Sequence, residues 1–84
     1  MLEFLQKNTE LVETWKQPTY LYKGELTYYH FKIGTHHFML SDSGHSLVLT
    51  DYIVETKEAT KYIALGSKSN IKEAIKKLVI RYGN

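Results

Sequence analysis

The sequence predicts an α+β domain in which an N-terminal helix, an antiparallel β-meander of about four to six strands and a C-terminal helix follow one another. Apolar residues recur at helical spacing near both ends of the 84-residue chain. Residues 19–65 instead alternate between apolar and polar side chains with the period of two that is typical of strands. Gly24, Gly34 and Gly44 stand ten residues apart in this middle segment, which is the spacing expected of turns in a meander.

The first helix is predicted over residues 2–16. The single proline, Pro18, ends the pattern, because the residue before a proline avoids helical backbone angles. An apolar stripe runs along one side of this helix and consists of Leu2, Leu5, Val12 and Trp15.

Two turns in the middle of the meander predict how its strands pair. A two-residue type II′ turn at residues 34–35 aligns Phe31 with Phe38, and a four-residue loop at residues 41–44 aligns Phe38 with Leu47. Alternation then gives an apolar face made of Tyr29, Phe31, Ile33, Phe38, Leu40, Leu47 and Leu49. The opposite face, called the mixed face below, carries Tyr28, His30, Lys32, His37, Met39, Ser46 and Val48. A shift by one residue would exchange the two faces, so their clean separation supports this register.

The first and last hairpins are less defined. Around residues 23–25, a two-residue loop buries Tyr20 and Tyr22, whereas a three-residue loop buries Leu21. Later in the chain, two strands flank a turn at residues 57–59 and are predicted at residues 52–54 and 62–65.

The second helix follows Gly66, with Ser69 or Asn70 as its N-cap and Gly83 as its C-cap. Its apolar side consists of Ile71, Ala74, Ile75, Leu78, Val79 and Tyr82. Because each helix has one apolar side, we expect both helices to pack on the apolar face of the sheet.

Composition excludes several classes of protein. The 84 residues are one domain's worth of chain, and 43% hydrophobic residues with a net charge of +2 do not suit a disordered protein. The absence of cysteine excludes disulfides, Cys-ligated zinc, iron–sulfur clusters and thiol catalysis. No apolar run reaches the ~20 residues of a membrane span, and the first residues do not form a signal peptide. We therefore expect a single cytoplasmic domain over residues 1–84, present as a monomer or a homodimer.

Four histidines suggest a metal site, but their positions argue against one. His36 and His37 are adjacent on a predicted strand and point to opposite faces, and His45 lies several residues away along the ladder. His30 and His37 share the mixed face, but neither strand adds a carboxylate to them. The sequence therefore predicts no metal and no cofactor.

Catalytic groups are also not evident. Residues 41–45 contain the residue types of a Ser–His–Asp triad, but such groups converge from separate elements, and Ser, Asp and Gly favour turns. No pair of carboxylates has the spacing of an acid–base pair, and no glycine-rich phosphate loop is present. We therefore expect a protein without enzymatic activity.

Charge is unevenly distributed along the chain. Residues 60–84 carry six Lys and Arg against one Glu, a net charge of +5, and residues 1–59 carry a net charge of −3. Opposite its apolar side, the second helix presents a basic ridge made of Lys68, Lys72, Lys76, Lys77 and Arg81. A solvated helix face accounts for this ridge, and so does a binding surface for a phosphate backbone or an acidic protein.

The mixed face is the second candidate surface. Its candidate binding residues are Tyr28, His30, Lys32, His37 and Met39. Aromatic side chains between cations suit base stacking, although antiparallel sheets commonly expose a mixed face and a dimer contact would also use one. The first hypothesis is a protein–protein interaction module of regulator or inhibitor type, with a size typical of phage and mobile-element proteins. The alternative hypothesis is a nucleic-acid-binding protein that uses the basic ridge.

Two short segments resemble a double-stranded-RNA-binding domain. Pro18-Thr19-Tyr20 resembles the Pro-x-Tyr that follows the first helix of that family, and Lys72-Glu73-Ala74 resembles its Lys-x-Ala in the second helix. The resemblance implies an α, antiparallel β, α order and binding of double-stranded RNA. This chain departs from the family because residues 66–70 keep only a fragment of the Gly-x-Gly-x-Ser-Lys-Lys run. About twenty extra residues also separate the matching parts, so the sequence does not assign the chain to that family.

Overall fold

An antiparallel sheet of five strands lies between two helices in chain order. The computed structural model describes residues 1–18 and 24–83. The elements are α1 (Leu2–Asn8), β1 (Glu10–Pro18), β2 (Glu25–Ile33), β3 (His36–Asp42), β4 (Leu47–Ile53), β5 (Glu58–Gly66) and α2 (Lys68–Tyr82). Each strand pairs with its sequence neighbours, in the order β1-β2-β3-β4-β5. This meander between two helices confirms the predicted α+β fold.

The apolar face of the sheet packs against both helices. One cluster of buried residues joins the sheet to α1 and α2, and consists of Leu5, Phe31, Ile33, Phe38, Leu40, Leu47, Leu49, Ile71 and Ile75. Tyr29 is half-buried and packs against this cluster. Full burial of one of the Leu, Ile or Phe side chains of this cluster contributes roughly 1.5–3 kcal/mol relative to leaving it exposed. The predicted apolar face is therefore confirmed as the core.

The N-terminal segment corrects the predicted helix over residues 2–16. The helix ends at Asn8, because Thr9 adopts extended backbone angles. The hydroxyl of Thr9 donates a hydrogen bond of 2.7 Å to the carbonyl oxygen of Leu5, which occupies one of the last helical carbonyls. The following residues pair with β2 instead of continuing the helix. Pro18 therefore ends an edge strand, a position that tolerates its missing N–H group.

Of the two turns predicted in the middle of the meander, one is confirmed and the other is in the wrong place. The turn at residues 34–35 is confirmed, since Phe31 pairs with Phe38 and Gly34 has the positive φ of 64° that a type II′ turn requires at its first position. The loop at residues 41–44 was placed wrongly, because Asp42 continues β3 and Phe38 pairs with Asp51. The register therefore differs by four residues, and this even number leaves every side chain on its predicted face.

Hydrogen bonds inside the β3–β4 connection explain where it lies. The carboxylate of Asp42 accepts a bond of 2.8 Å from the N–H of Gly44. The hydroxyl oxygen of Ser43 accepts bonds of 3.3 and 3.2 Å from the N–H groups of His45 and Ser46. The residues that suggest a triad thus form a turn, as expected from their composition.

The remaining boundaries shift by a few residues. The turn between β4 and β5 spans residues 54–57 rather than 57–59, and Lys57 closes it with a left-handed φ of 57°. Ser67 caps α2 instead of Ser69 or Asn70, because its hydroxyl accepts a bond of 3.3 Å from the N–H of Asn70. Gly83 is the C-cap, as predicted. The alternatives for the first hairpin concern residues 20–22, which lie outside the described residues.

Candidate binding cleft on the mixed face

The sheet face turned away from the helices is concave. It contains a cleft of about 320 Å³. All five strands and the turn before β5 contribute to its lining. The lining residues are Glu13, Trp15, Gln17, Tyr28, Met39, Tyr52, Lys57 and Ala59. Residues from the two edge strands line the same cleft, so the sheet curves around it.

A β-bulge in β1 directs Trp15 into the cleft. Leu11 pairs with Phe31, and Glu13 pairs with His30, the adjacent residue of β2. Val12, which lies between them in β1, is therefore an extra residue in the strand pairing. Leu11 packs against the core. In a regular strand, Trp15 would lie on the same face as Leu11, since the two are four residues apart. The bulge changes this alternation and places Trp15 on the opposite face.

Aromatic rings form one side of the cleft. Trp15 and Tyr28 are a cross-strand pair, and their rings stack with centroids 5.3 Å apart and planes 19° from parallel. Such pairs stabilise adjacent strands and keep the rings in a fixed orientation. Tyr52, from β4, also lines the cleft, and its ring centroid lies 4.6 Å from that of His30.

The middle of the mixed face, in and beside the cleft, is more buried than the sequence predicts. The five predicted residues do share this face, but His30 is only 6% exposed and Met39 only 4% exposed. Nε2 of His30 lies 2.8 Å from Nδ1 of His37, within hydrogen-bonding distance. Lys32 forms an ion pair of 3.2 Å with Glu10, outside the cleft lining. The expectation that all five lie uncovered is thus wrong for His30 and Met39. The rings of His37 and Tyr52 pack against the ring of His30.

The electrostatics of the mixed face centre on His30, which contacts the lining residue Tyr52 but does not itself line the cleft. Its burial lowers the pKa of the imidazole, the nearby His37 lowers this pKa further, and the carboxylate of Glu13 partly opposes both effects. Glu13 is the cross-strand neighbour of His30 on β1. On balance, the surroundings of His30 therefore disfavour its charged form.

Sequence reasoning missed six of the eight residues that line the cleft: Glu13, Trp15, Gln17, Tyr52, Lys57 and Ala59. The first two were assigned to a helix, and the bulge that orients them has no signature in the sequence. Tyr52 could have been placed near Met39 by counting two residues forward from Thr50, which pairs with Met39, if the β3–β4 loop had been located correctly.

On the opposite face, His36 forms a pair with Asp51 at the end of α2. Nε2 of His36 lies 3.1 Å from Oδ1 of Asp51, and its ring stacks on Tyr82 with centroids 4.5 Å apart. This pair joins β3 and β4 to the last turn of the helix. Within residues 1–18 and 24–83, no group of three or more His, Asp or Glu is arranged to hold a metal ion.

The basic ridge lies on α2 as predicted, and three of its five members contact other side chains. Nζ of Lys72 is 5.5 Å from the centre of the Phe4 ring, and Nζ of Lys76 is 3.6 Å from a Glu73 carboxylate oxygen. Arg81 stacks over Tyr82. Lys68 and Lys77 make no such contact with the part of the chain that the structure describes.

Comparison with known proteins provides no evidence about the function of this chain. The resemblance to a double-stranded-RNA-binding domain is not supported, because Pro18 ends a strand rather than following the first helix. Among the described residues, no helix is long and apolar enough to span a membrane. No family model, curated protein or solved structure matches this chain.

Proposed function

We propose that this chain is a small, non-enzymatic, cytoplasmic binding module of regulator or inhibitor type, and that it binds a partner protein in the cleft of the mixed face. The observation that carries the proposal is the cleft itself, which the two helices leave uncovered. Its walls combine three aromatic side chains with charged groups from both edges of the sheet. The homodimer expected from the small size of the chain stays a prediction.

The lining suits a partner side chain. Stacked aromatic rings lose little conformational freedom on binding and are frequent among the residues that dominate protein–protein affinity. A volume of about 320 Å³ is at the lower end of ligand pockets and accommodates one or two large side chains. We therefore expect the partner to insert an apolar or aromatic side chain beside Trp15 and Tyr28.

The charged groups specify what surrounds that inserted side chain. Glu13 lies on the β1 side of the cleft and Lys57 at the turn before β5. Neither forms an ion pair within the described residues. A partner that carries a cation and an anion on either side of its apolar group would satisfy both charges, and complementary charges of this kind favour specificity and fast association.

The edges of the sheet are poor alternatives for docking. β1 contains the Val12 bulge and ends at Pro18, and β5 shows two register shifts against β4. Bulges, prolines and charged residues at edge strands hinder pairing with a further strand. A partner is therefore expected on the concave face rather than as an added sixth strand.

Affinity capture with two matched tyrosine variants tests the proposal. Tyr28→Ala removes half of the stacked pair, whereas Tyr62→Ala removes a tyrosine that is 56% exposed and lies outside the cleft lining. We expect Tyr28→Ala to weaken binding of the partner captured by the wild-type protein at least about tenfold, the range of an interface anchor. Tyr62→Ala is expected to bind like the wild type. Equal binding by Tyr28→Ala, with an unchanged far-UV circular dichroism spectrum, would exclude the cleft.

The basic ridge supports a second candidate, a nucleic-acid-binding protein. It is favoured by the net charge of +5 over residues 60–84 and by the absence of described side-chain contacts at Lys68 and Lys77. A ridge that engages about four phosphates should give a slope of log K against log salt of about −3 to −4.

Fluorescence anisotropy with labelled single- and double-stranded DNA and RNA, at ~50 and ~200 mM salt, measures this slope. The double variant Lys68→Glu/Lys77→Glu should abolish binding with little change in Tm, because neither lysine has a described partner to lose. Binding by the double variant as tight as that of the wild type would exclude the ridge.

A further inference from the structure

His30 lies beside the cleft, between two partners of different chemistry. On the β3 side, its Nε2 is 2.8 Å from Nδ1 of His37, and the two ring centroids are 5.0 Å apart. On the β1 side, its cross-strand neighbour is Glu13, whose side chain is exposed and lines the cleft. Directly opposed side chains on adjacent antiparallel strands have Cβ atoms roughly 4.5–5.5 Å apart, so the Glu13 side chain lies within reach of the His30 ring.

The number of protons on the two imidazoles decides which partner His30 can keep. A hydrogen bond between two ring nitrogens requires one N–H donor and one bare acceptor. This requirement is met when the pair is neutral, and also when it carries one extra proton. When both rings are protonated, both facing nitrogens are donors and both rings are positive. The contact between His30 and His37 is then repulsive.

We propose that His30 is an acid-operated switch of the cleft: on protonation of both imidazoles, His30 leaves His37 and forms an ion pair with Glu13. This regulation rests on the proposed function, because the cleft that it reshapes is the proposed binding surface. The bond between the two histidines holds the cleft in its binding form, and the ion pair with Glu13 holds the alternative form.

The groups around His30 favour this exchange over other outcomes. Glu13 is the carboxylate on the β1 side, since Glu10 already forms an ion pair with Lys32. Lys32 is the cross-strand neighbour of His37, and its ammonium group is paired with Glu10. From β4, Tyr52 contributes a phenol ring beside His30. From β3 and β4, Met39 and Thr50 contribute uncharged groups. Glu13 is thus the anionic partner that a charged His30 meets on this face.

The exchange changes the shape and the charge of the cleft. Tyr52 both lines the cleft and contacts the ring of His30, so movement of that ring displaces Tyr52. The carboxylate of Glu13 moves toward His30 and is no longer available to a cation of the partner. Acid is therefore expected to release a partner that binds at neutral pH.

The direction of the pKa shift places the switch on the acid side of 6.5. Burial, followed by the effect of His37, lowers the pKa of His30 below this ordinary value. Between the lowered pKa and 6.5 the unfolded chain binds more protons than the folded chain, so the free energy of unfolding decreases as the pH falls through this range. The ion pair between His30 and Glu13 offsets part of this decrease in the free energy of unfolding.

The single tryptophan of the chain reports on the switch without any partner. Trp15 lines the cleft, and its quenching by acrylamide can be followed from about pH 8 to about pH 4.5, a range that spans the ordinary histidine pKa. We expect a sigmoidal change in the wild type with a midpoint below 6.5, while the far-UV circular dichroism stays constant. Glu13→Gln removes the charge that attracts His30 and should abolish the change. His45→Gln, a control in the β3–β4 loop, should titrate like the wild type.

Nitrogen-15 NMR of the imidazoles provides a second readout that needs no substitution. We expect the change in Trp15 to accompany the protonation step that leaves both rings charged. Independent titration of both rings near 6.5, or an unchanged Trp15 response in Glu13→Gln, would overturn the switch.

Failure of the switch is distinguishable from failure of the proposed function. Loss of partner binding in Tyr28→Ala at neutral pH tests the cleft as a binding surface and does not depend on the titration of His30. A partner that binds in the cleft equally well at neutral pH and below the second protonation would overturn the switch alone.

Discussion

Gly34 holds the turn between β2 and β3 against the end of α2. Its φ of 64° lies in the left-handed region, and a Cβ atom at this position would lie 2.6 Å from the carbonyl oxygen of Tyr82. The glycine spacing of the sequence was enough to predict the turn, because the turn depends on local backbone angles. The approach of Tyr82 was not predictable, since it depends on where the last turn of a helix 48 residues later packs.

Comparison of Gly34→Ala with Gly44→Ala separates the cost of the left-handed backbone from the cost of the close approach of Tyr82. A left-handed alanine costs roughly 1–2 kcal/mol, and displacement of a backbone carbonyl adds to this cost. Gly44→Ala is a matched control, because Gly44 also has a positive φ but its added Cβ would meet nothing within 4 Å. Urea unfolding should show a lower stability for Gly34→Ala than for Gly44→Ala, by about 1 kcal/mol or more. Equal losses would mean that the end of α2 yields without cost.

At the scale of elements, β1 shows where sequence patterns are insufficient. Leu2, Leu5, Val12 and Trp15 fit a helix by spacing, yet only the first seven residues after Met1 are helical. Thr9 ends the helix, and the pairing of the next nine residues with β2 stabilises a strand that their spacing does not indicate. The other four strands were recognised because alternation of apolar and polar side chains follows directly from burial of one face. The bulge at Val12 lies in this unrecognised strand, and the three lining residues that β1 contributes, Glu13, Trp15 and Gln17, were missed with it.

Two single-residue deletions test the bulge. Deletion of Val12 restores regular pairing and leaves Leu11 on the core side and Trp15 on the cleft side, so the chain should fold with the Trp15–Tyr28 stack intact. Deletion of Thr14 turns either Trp15 or Glu13 toward the helices, because side chains alternate along a strand. We expect near-ultraviolet circular dichroism like that of the wild type only for the Val12 deletion. Equal disruption by both deletions would show that the bulge itself is needed for folding.

At the scale of the whole molecule, a single core joins helices that are far apart in the sequence. Leu5 from α1 and both Ile71 and Ile75 from α2 are fully buried in one cluster with the sheet. A helix of seven residues has little stability of its own, so α1 depends on this cluster. The helical content and the order of the chain around Trp15 should therefore be lost in one transition.

Truncation of Leu5 tests this cooperativity. Leu5→Ala should lower the free energy of unfolding by about 2–5 kcal/mol, the usual cost of such a cavity. Leu2→Ala is the control, since Leu2 is 44% exposed and its truncation should cost less than about 0.5 kcal/mol. Urea unfolding followed by Trp15 fluorescence and by far-UV circular dichroism should give the same midpoint for each variant. Separate midpoints would show that α1 unfolds independently of the sheet.

The alternation of the strands has a consequence for how this molecule can diversify. Neighbouring positions of one strand serve different purposes: Tyr29 packs against the core, while Tyr28 lines the cleft. The lining positions at Glu13, Gln17 and Lys57 are exposed, so their replacement leaves the packing beneath the helices unchanged. For the binding module proposed above, new specificities can thus arise by point mutation on one side of the sheet, while selection for folding acts on the other.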